Sequence, residues 1–435
     1  MHISDFSTKI YHGLIIYIIL IPYYYFSPSI FPASLITVLK YLPVLLLTLA
    51  IIPLLNAENL LFILHEFRIT FYLIGIYFII GLFSLWDSEN KVMGLFRFAY
   101  YSYTSISAIY ISLIIGKHFK KAYLIFRYVF FSVCVSSVYS FFIASWSFDL
   151  LSILNFFTWT LHLDYQNNRL SGTLGNPVAY GSLLMFTLPI ITLYLVKARS
   201  LTYTFLISLV LFISLFNIVA TSSRSAALIS IPLLIFCLYV FPRQQGIRPK
   251  TPFKMLSFMA LLCIILGLFT VSVEDKFDQL TNRLEAISDI KKNQSGRLSQ
   301  YGFAFSSLRE QPLLGIGAGQ LVDSIRSGSY PRGIDQNSIT TDNQFIMITV
   351  ETGLLGLIAF VSLLSNVIVN IYNNLKSKIS TEVSLYGWTC IASTMSLVLS
   401  MITWDAICQP TMRILFWTIL GLGLSYTRTA NTVSE

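Results

Sequence analysis

Long apolar stretches separated by short polar connections run along almost the whole chain. A membrane-spanning helix needs roughly 17–25 mostly apolar residues, and this rule predicts twelve spans. They cover residues 10–29, 42–64, 70–87, 99–116, 122–146, 177–196, 201–221, 225–242, 254–273, 343–371, 383–402 and 410–427. Polar residues from Asn56 to Asn59 interrupt the second span. The predicted fold class is all-α, a polytopic membrane bundle of about twelve transmembrane helices.

Composition supports this class. Of 435 residues, 55% are hydrophobic and 11% are charged, which is too little charge to cover the surface of a soluble protein of this size. The formal net charge of +9 comes from small basic groups between apolar runs, a pattern typical of cytoplasmic loops. We therefore expect the lipid bilayer as a partner and no nucleic acid. The five scattered cysteines indicate neither a disulfide framework nor a zinc site, and we expect no metal.

The Lys and Arg distribution predicts the orientation of the chain. Alternating spans place fourteen basic residues on one side, whereas the short connections of the other side offer Lys40, Lys91, Arg97, Arg169 and Arg413, so the richer side is predicted to be cytoplasmic. Both termini then lie in the cytoplasm. The chain divides into an N-terminal bundle of nine helices (1–272), a large loop on the outer side (273–342) and three C-terminal helices (343–435).

The large loop contains its own helical pattern. Leu298, Tyr301, Phe305 and Leu308 recur at helical spacing, which predicts an amphipathic helix over the bundle. Pro312 is expected to end that helix, and LLGIGAGQ to form a flexible turn after it.

Three polar features lie on the predicted outer face. Arg224 begins a span in ATSSRSAAL, and Arg297 begins the loop helix in SGRLSQYG. Either arginine fits phosphate binding, although a snorkelling or solvated side chain explains each one as well. In TTDN, Asp342 or Asn343 caps the next span, and a carboxylate there could also act as a general base.

Two further groups extend this polar face. Glu351 shares a helical face with Gln344 and Ile348, so it is interpreted as a residue that lines a cavity. Asp405 and Arg413 lie in the outer hairpin of the last two spans. They either pair with each other or line the same cavity.

Four segments appear in a characteristic order: GTLGNPVAYGSLLMFTLP, TSSRSAALIS, GRLSQYGFAFSSLREQPLLGIGAGQ and TTDNQFIMITVETGLLGLIAF. Together, from Leu170 to Phe360, they resemble the O-antigen ligase and polymerase superfamily. The resemblance implies a GT-C-like helix bundle that takes a glycan from undecaprenyl diphosphate without a metal or another cofactor. It also implies that Arg224 and Arg297 hold the diphosphate.

Asp342 stands where the ligase branch usually has a histidine, which favours the polymerase branch. A polymerase transfers the growing glycan onto the terminal sugar of another lipid-linked repeat unit. The predicted catalytic residues are Asp342, Arg224 and Arg297, and the predicted substrate-binding residues are Asn343, Tyr301, Arg413, Asp405 and Glu351. The partners implied are undecaprenyl-diphosphate-linked oligosaccharides and a polysaccharide chain-length regulator. An O-antigen ligase and a lipid-oligosaccharide flippase remain the alternatives.

Overall fold

The computed structural model describes residues 47–48, 51–86, 88, 90–117, 119–146, 170–174, 176–221, 223–245, 302, 304–306, 308–321, 343–376 and 380–434. Within these ranges ten α-helices form and no strand does, so the all-α prediction is confirmed there. The helices are α1 (Ala57–Glu66), α2 (Arg68–Ser84), α3 (Lys91–Gly116), α4 (Phe119–Trp146), α5 (Pro177–Lys197), α6 (Leu201–Ala220), α7 (Arg224–Gln244), α8 (Gln344–Lys376), α9 (Thr381–Ser400) and α10 (Pro410–Ser434).

Seven of the described helices are long and apolar enough to cross a membrane, or eight if α1 and α2 count as one bent span. A polytopic membrane protein is therefore confirmed, whereas the number twelve is not. The predicted spans 10–29 and 254–273 lie outside the described residues.

The predicted second span, 42–64, is wrong as one continuous helix. A 3-10 turn at Ile52–Leu54 precedes Asn56, whose backbone is extended and whose side chain accepts a hydrogen bond from the backbone N–H of Asn59. The extended backbone of Asn56 ends the preceding 3-10 turn, and its side chain caps a new helix, α1. A bend of 95° then separates α1 from α2.

Polar caps define where most helices begin. Asn and Ser side chains accept hydrogen bonds from the otherwise unpartnered N–H groups of the first helical turn. The capping residues are Asn56, Asn90, Asn176, Ser200, Asn343 and Ser380. These caps explain why separate helices begin at defined positions in an apolar sequence of nearly uniform composition.

The bundle is built around α5, of whose most apolar 18-residue window 94% is buried. Helices α4, α6, α7 and α9 pack around α5. A second group, α2, α3, α8 and α10, packs together beside it through the pairs α3–α10 and α2–α8. The second group contains the candidate site.

Contacts between helix ends define two opposite ends of the bundle. The first, which we call the lysine end, includes Lys197 Nζ bonded to Glu382 Oε1 at 2.6 Å and Arg428 Nε bonded to Glu66 Oε2 at 3.1 Å. At the opposite end, which we call the loop end, the backbone N–H of Gln344 donates to the carbonyl of Met401. This grouping agrees with the predicted up-and-down alternation. Which end faces the periplasm stays a prediction from the basic residues.

Helix α8 is broken at Gly353, which has φ 67° and ψ −171°. Residues 312–321, which we call the glycine segment, lie against the break. The N–H groups of Ile316 and Gly317 donate to the carbonyls of Val350 and Glu351, at 2.9 and 3.1 Å. In return, Leu354 and Leu355 donate to the carbonyls of Pro312 and Leu313, at 3.0 and 3.3 Å. The segment turns as predicted, but it is held by hydrogen bonds and is not a free connection.

The described part of the loop helix ends where the sequence predicts. Helical residues reach Glu310, and Pro312 follows after a bend at Gln311. Of the predicted apolar positions, Phe305 is 67% exposed, whereas its neighbour Ala304 is 6% exposed and packs with Leu321, Met347 and Val350. The small side chain of Ala304 allows the loop helix to pack closely against these residues. Leu298 and Tyr301 lie outside the described residues.

The break in α8 predicts a specific sensitivity of the fold. In Gly353→Ala, a Cβ would collide with the backbone of Leu313, and positive φ is itself unfavourable for alanine. We expect a loss of about 2 kcal/mol or more of stability, measured as a lower Tm of the purified protein in detergent. The matched control is Gly75→Ala in α2, where nothing lies within 4 Å of the added Cβ. Equal Tm values for the two variants would contradict this interpretation of the break.

Candidate functional site

A cavity of about 100 Å³ lies at the loop end among α2, α3, α8 and α10, with the glycine segment as one wall. Its polar lining comes from residues far apart in sequence: Tyr77, Tyr101, Ser102, Ser105, Gln344, Glu351, Thr352 and Arg413. Aromatic rings complete the wall, namely Phe78, Phe98, Phe360 and Trp417. Most of the accessible lining is apolar, but buried polar and ionisable side chains at membrane depth are costly and often functional, so the cavity is a candidate functional site.

Glu351 lies in the wall of this cavity, 7% exposed and two helical turns below the start of α8. Its Oε1 accepts a hydrogen bond of 3.3 Å from the backbone N–H of Leu321. Gln344 and Ile348 line the same cavity, which confirms the predicted shared face. The carboxylate therefore joins α8 to the glycine segment and also faces the cavity.

Arg413, at the start of α10, is 1% exposed and lines the cavity from the opposite side. Its Nε donates to Thr104 Oγ1 at 2.8 Å, and its Nη1 donates to the carbonyl of Ile407 at 3.1 Å. The guanidinium also lies 4.4 Å from the ring centroid of Tyr101. These contacts fix the cation in place in the wall of the cavity that Glu351 also lines.

Asn343 is the residue that caps α8. Its Oδ1 accepts hydrogen bonds from the backbone N–H groups of Phe345 and Ile346, at 2.9 and 3.1 Å. Next to it, Gln344 Oε1 accepts from the backbone N–H of Ile407 at 3.0 Å. The sequence left the cap open between Asp342 and Asn343, and the structure assigns it to Asn343.

Two other predicted site residues lie at the same end but away from the cavity wall. Arg224 is the first residue of α7 and is exposed, and its neighbour Ser223 makes no side-chain capping bond. Asp405 precedes the 3-10 turn Ala406–Cys408 and is half-buried. Among the described residues, neither lines the cavity. Asp342, Arg297 and Tyr301 lie outside the described residues, so their predicted roles stay predictions.

Sequence reasoning missed Arg97 as a site residue. It is half-buried in α3, and its Nη1 donates to the carbonyl of Gly319 at 2.9 Å, which holds the glycine segment. A signal was present, because Arg97 is a basic residue in a short connection on the predicted periplasmic side. The hydroxyls of α2 and α3 carried no such signal, since serine and tyrosine are common in apolar spans.

Comparison with known proteins supports the resemblance in the C-terminal half of the sequence. Residues 209–361, about a third of the chain, match the family model described as O-Antigen ligase. No curated protein matches the chain. The family match confirms the resemblance to the O-antigen ligase and polymerase superfamily and supports a glycosyltransferase-like function. It does not distinguish the two branches.

The contacts of Arg413 predict that charge alone does not suffice at this position. In Arg413→Lys the cation remains, but a single ammonium lacks the planar fork that bonds Thr104 and Ile407 together. We expect a loss of about 1–3 kcal/mol, observed as a lower Tm in detergent. Arg199→Lys, at an exposed position of the lysine end, should leave the Tm unchanged. A wild-type Tm for Arg413→Lys would show that the fork contributes nothing.

Proposed function

Because residues 209–361 carry the resemblance to the O-antigen ligase and polymerase superfamily, we propose that this protein is a surface-polysaccharide polymerase. It transfers a growing glycan from undecaprenyl diphosphate to the terminal sugar of another undecaprenyl-diphosphate-linked repeat unit. The reaction takes place at the loop end, on the periplasmic face of the inner membrane, with a chain-length regulator as an expected partner.

The observation that carries the proposal is the start of α8. The helix is capped by Asn343, and the buried groups Gln344 and Glu351 continue from that cap into the polar cavity. Asp342 directly precedes the cap in sequence. Because Asp342 is next to the cap in sequence, we propose that its carboxylate is close to the entrance of this cavity, where an acceptor sugar would bind.

The proposed chemistry is a displacement at the anomeric carbon of the donor sugar. The Asp342 carboxylate takes the proton from an acceptor hydroxyl, and the hydroxyl oxygen forms a bond to the anomeric carbon. The bond from that carbon to the diphosphate oxygen breaks, and the diphosphate leaves with the bonding electrons. General base catalysis of this kind contributes roughly 10²–10⁴-fold to a rate.

Arg224 and Arg297 are proposed to neutralise the diphosphate while it binds and leaves. Guanidinium groups bind phosphate oxygens in pairs, and helix N-termini favour anions. Arg224 fits this role because it is exposed at the first position of α7, at the loop end. An exposed arginine at a helix start also fits interfacial snorkelling.

The glycans of a strain that lacks this protein test the function. If it is a polymerase, long chains disappear while a single repeat unit remains attached to lipid A. If every repeat unit disappears from lipid A, the protein is a ligase, the activity named by the matching family model. A wild-type glycan profile would contradict both.

The substitution Asp342→Asn tests the proposed base. An amide cannot accept the proton, and the cap is made by Asn343, so the start of α8 should stay intact. We expect a stable, membrane-inserted protein with polymerisation at least 100-fold slower in a purified assay. Glu58→Gln, an exposed change of the same charge in α1, is the control and should polymerise normally. A near-normal rate for Asp342→Asn would mean that another group is the base.

A further inference from the structure

The cavity contains hydroxyls that make no hydrogen bond to the described part of the protein. They belong to Tyr77 on α2 and to Tyr101, Ser102 and Ser105 on α3, and all four residues are half-buried and line the cavity. By contrast, some other hydroxyls in α3 have protein partners: Ser112 donates to the carbonyl of Ile109 at 2.8 Å, and Tyr110 donates to the carbonyl of Leu54 at 2.9 Å. Polar groups inside a membrane bundle without a partner are unfavourable, so these four indicate a polar occupant.

Two further groups face the same space with bonding capacity to spare. The amide Nε2 of Gln344 faces only weak sulfur acceptors among the described residues, Met347 Sδ at 4.0 Å and the Cys408 sulfur, although an amide nitrogen carries two donor hydrogens. An ionised Glu351 carboxylate has about four acceptor positions, of which two are used by the backbone N–H groups of Leu321, at 3.3 Å, and Gly319. The cavity thus offers donors and acceptors from three helices around one centre.

The size and walls of the cavity restrict the class of ligand. Its 100 Å³ or so exceeds the space of a single water several-fold but is smaller than a typical drug-sized site. Aromatic rings, including Phe98 and Trp417, flank the polar groups. Flat apolar faces beside many hydroxyl partners match the two faces and the polar rim of a sugar ring.

We propose that this cavity binds one pyranose ring of the lipid-linked glycan, next to the reacting sugar and not itself reacting. The proposal rests on the proposed function, because a glycan substrate is what brings a sugar to the start of α8. A polyprenyl chain fits less well, since it would leave the hydroxyls of Tyr77, Tyr101, Ser102 and Ser105 without partners. Water molecules alone would also satisfy these four hydroxyls, so the experiment must distinguish a bound sugar from bound water.

Binding of methyl glycosides to the full-length protein in lipid nanodiscs tests this proposal. The probes are methyl glycosides of a neutral hexose, a 6-deoxyhexose, an N-acetylhexosamine and a uronic acid. Saturation-transfer NMR, which detects weak binding, is recorded up to about 100 mM of each probe, well above the millimolar affinities typical of a few hydrogen bonds. We expect at least one class to bind saturably.

Conservative variants locate the binding. Tyr101→Phe and Ser105→Ala each remove one hydroxyl and keep the shape, and combined they should raise the Kd about tenfold or more. Tyr100→Phe and Ser112→Ala are the matched controls, because both residues lie in α3 and neither lines the cavity. Ser105→Phe should fill the cavity and abolish binding while the protein stays folded, as judged by its Tm.

The outcomes separate the sugar site from the proposed reaction, since glycoside binding needs no turnover. Saturable binding that depends on Tyr101 and Ser105 supports the site even if the protein makes no polymer. The proposal is overturned if no glycoside binds, or if the cavity variants and the controls bind equally well. In those cases the cavity contains only water, and the function of the start of α8 must be judged from polymerisation alone.

Discussion

The arrangement of the loop end depends on an exchange of backbone hydrogen bonds between α8 and the glycine segment. In an unbroken helix, Leu354 and Leu355 would donate to Val350 and Glu351. Here those four groups are partnered instead by Pro312, Leu313, Ile316 and Gly317. Irregular backbone at membrane depth is tolerated only when its polar groups are satisfied by protein or by a wet cavity. Each partner therefore makes the other's irregular conformation possible.

This exchange also builds the cavity. Once the segment is held in the break, Gly319 and Ala318 form one wall, and the backbone N–H of Leu321 reaches the Glu351 carboxylate. Arg97 and Ser84 secure the far side of the segment, through the carbonyl of Gly319 and the N–H of Ala318. A carboxylate is thereby fixed at a polar surface that neither helix nor segment could form alone.

Much of this could be predicted from the sequence, and the limit has a physical origin. The spans around α5, α6, α7 and α9 follow from length and apolarity, and the shared face of Gln344 and Glu351 follows from helical spacing. The break at Gly353 could not be predicted, because glycine is tolerated inside apolar spans and only the distant segment makes positive φ favourable. The role of the Tyr77 and Ser105 hydroxyls could not be predicted either, because only tertiary packing brings α2 and α3 to one cavity.

In the proposed mechanism, separate residues carry the structural and chemical roles at the start of α8. Asn343 satisfies the first N–H groups, which any short polar side chain can do, and Gln344 bonds the turn before α10. An acidic residue is therefore not needed to cap the helix, although negative charge there is weakly favourable to its dipole. That dipole contribution is about 0.3–1 kcal/mol when exposed, whereas a base contributes about 3–5 kcal/mol to a barrier. Of the two roles, only the proposed one as a general base requires the carboxylate of Asp342.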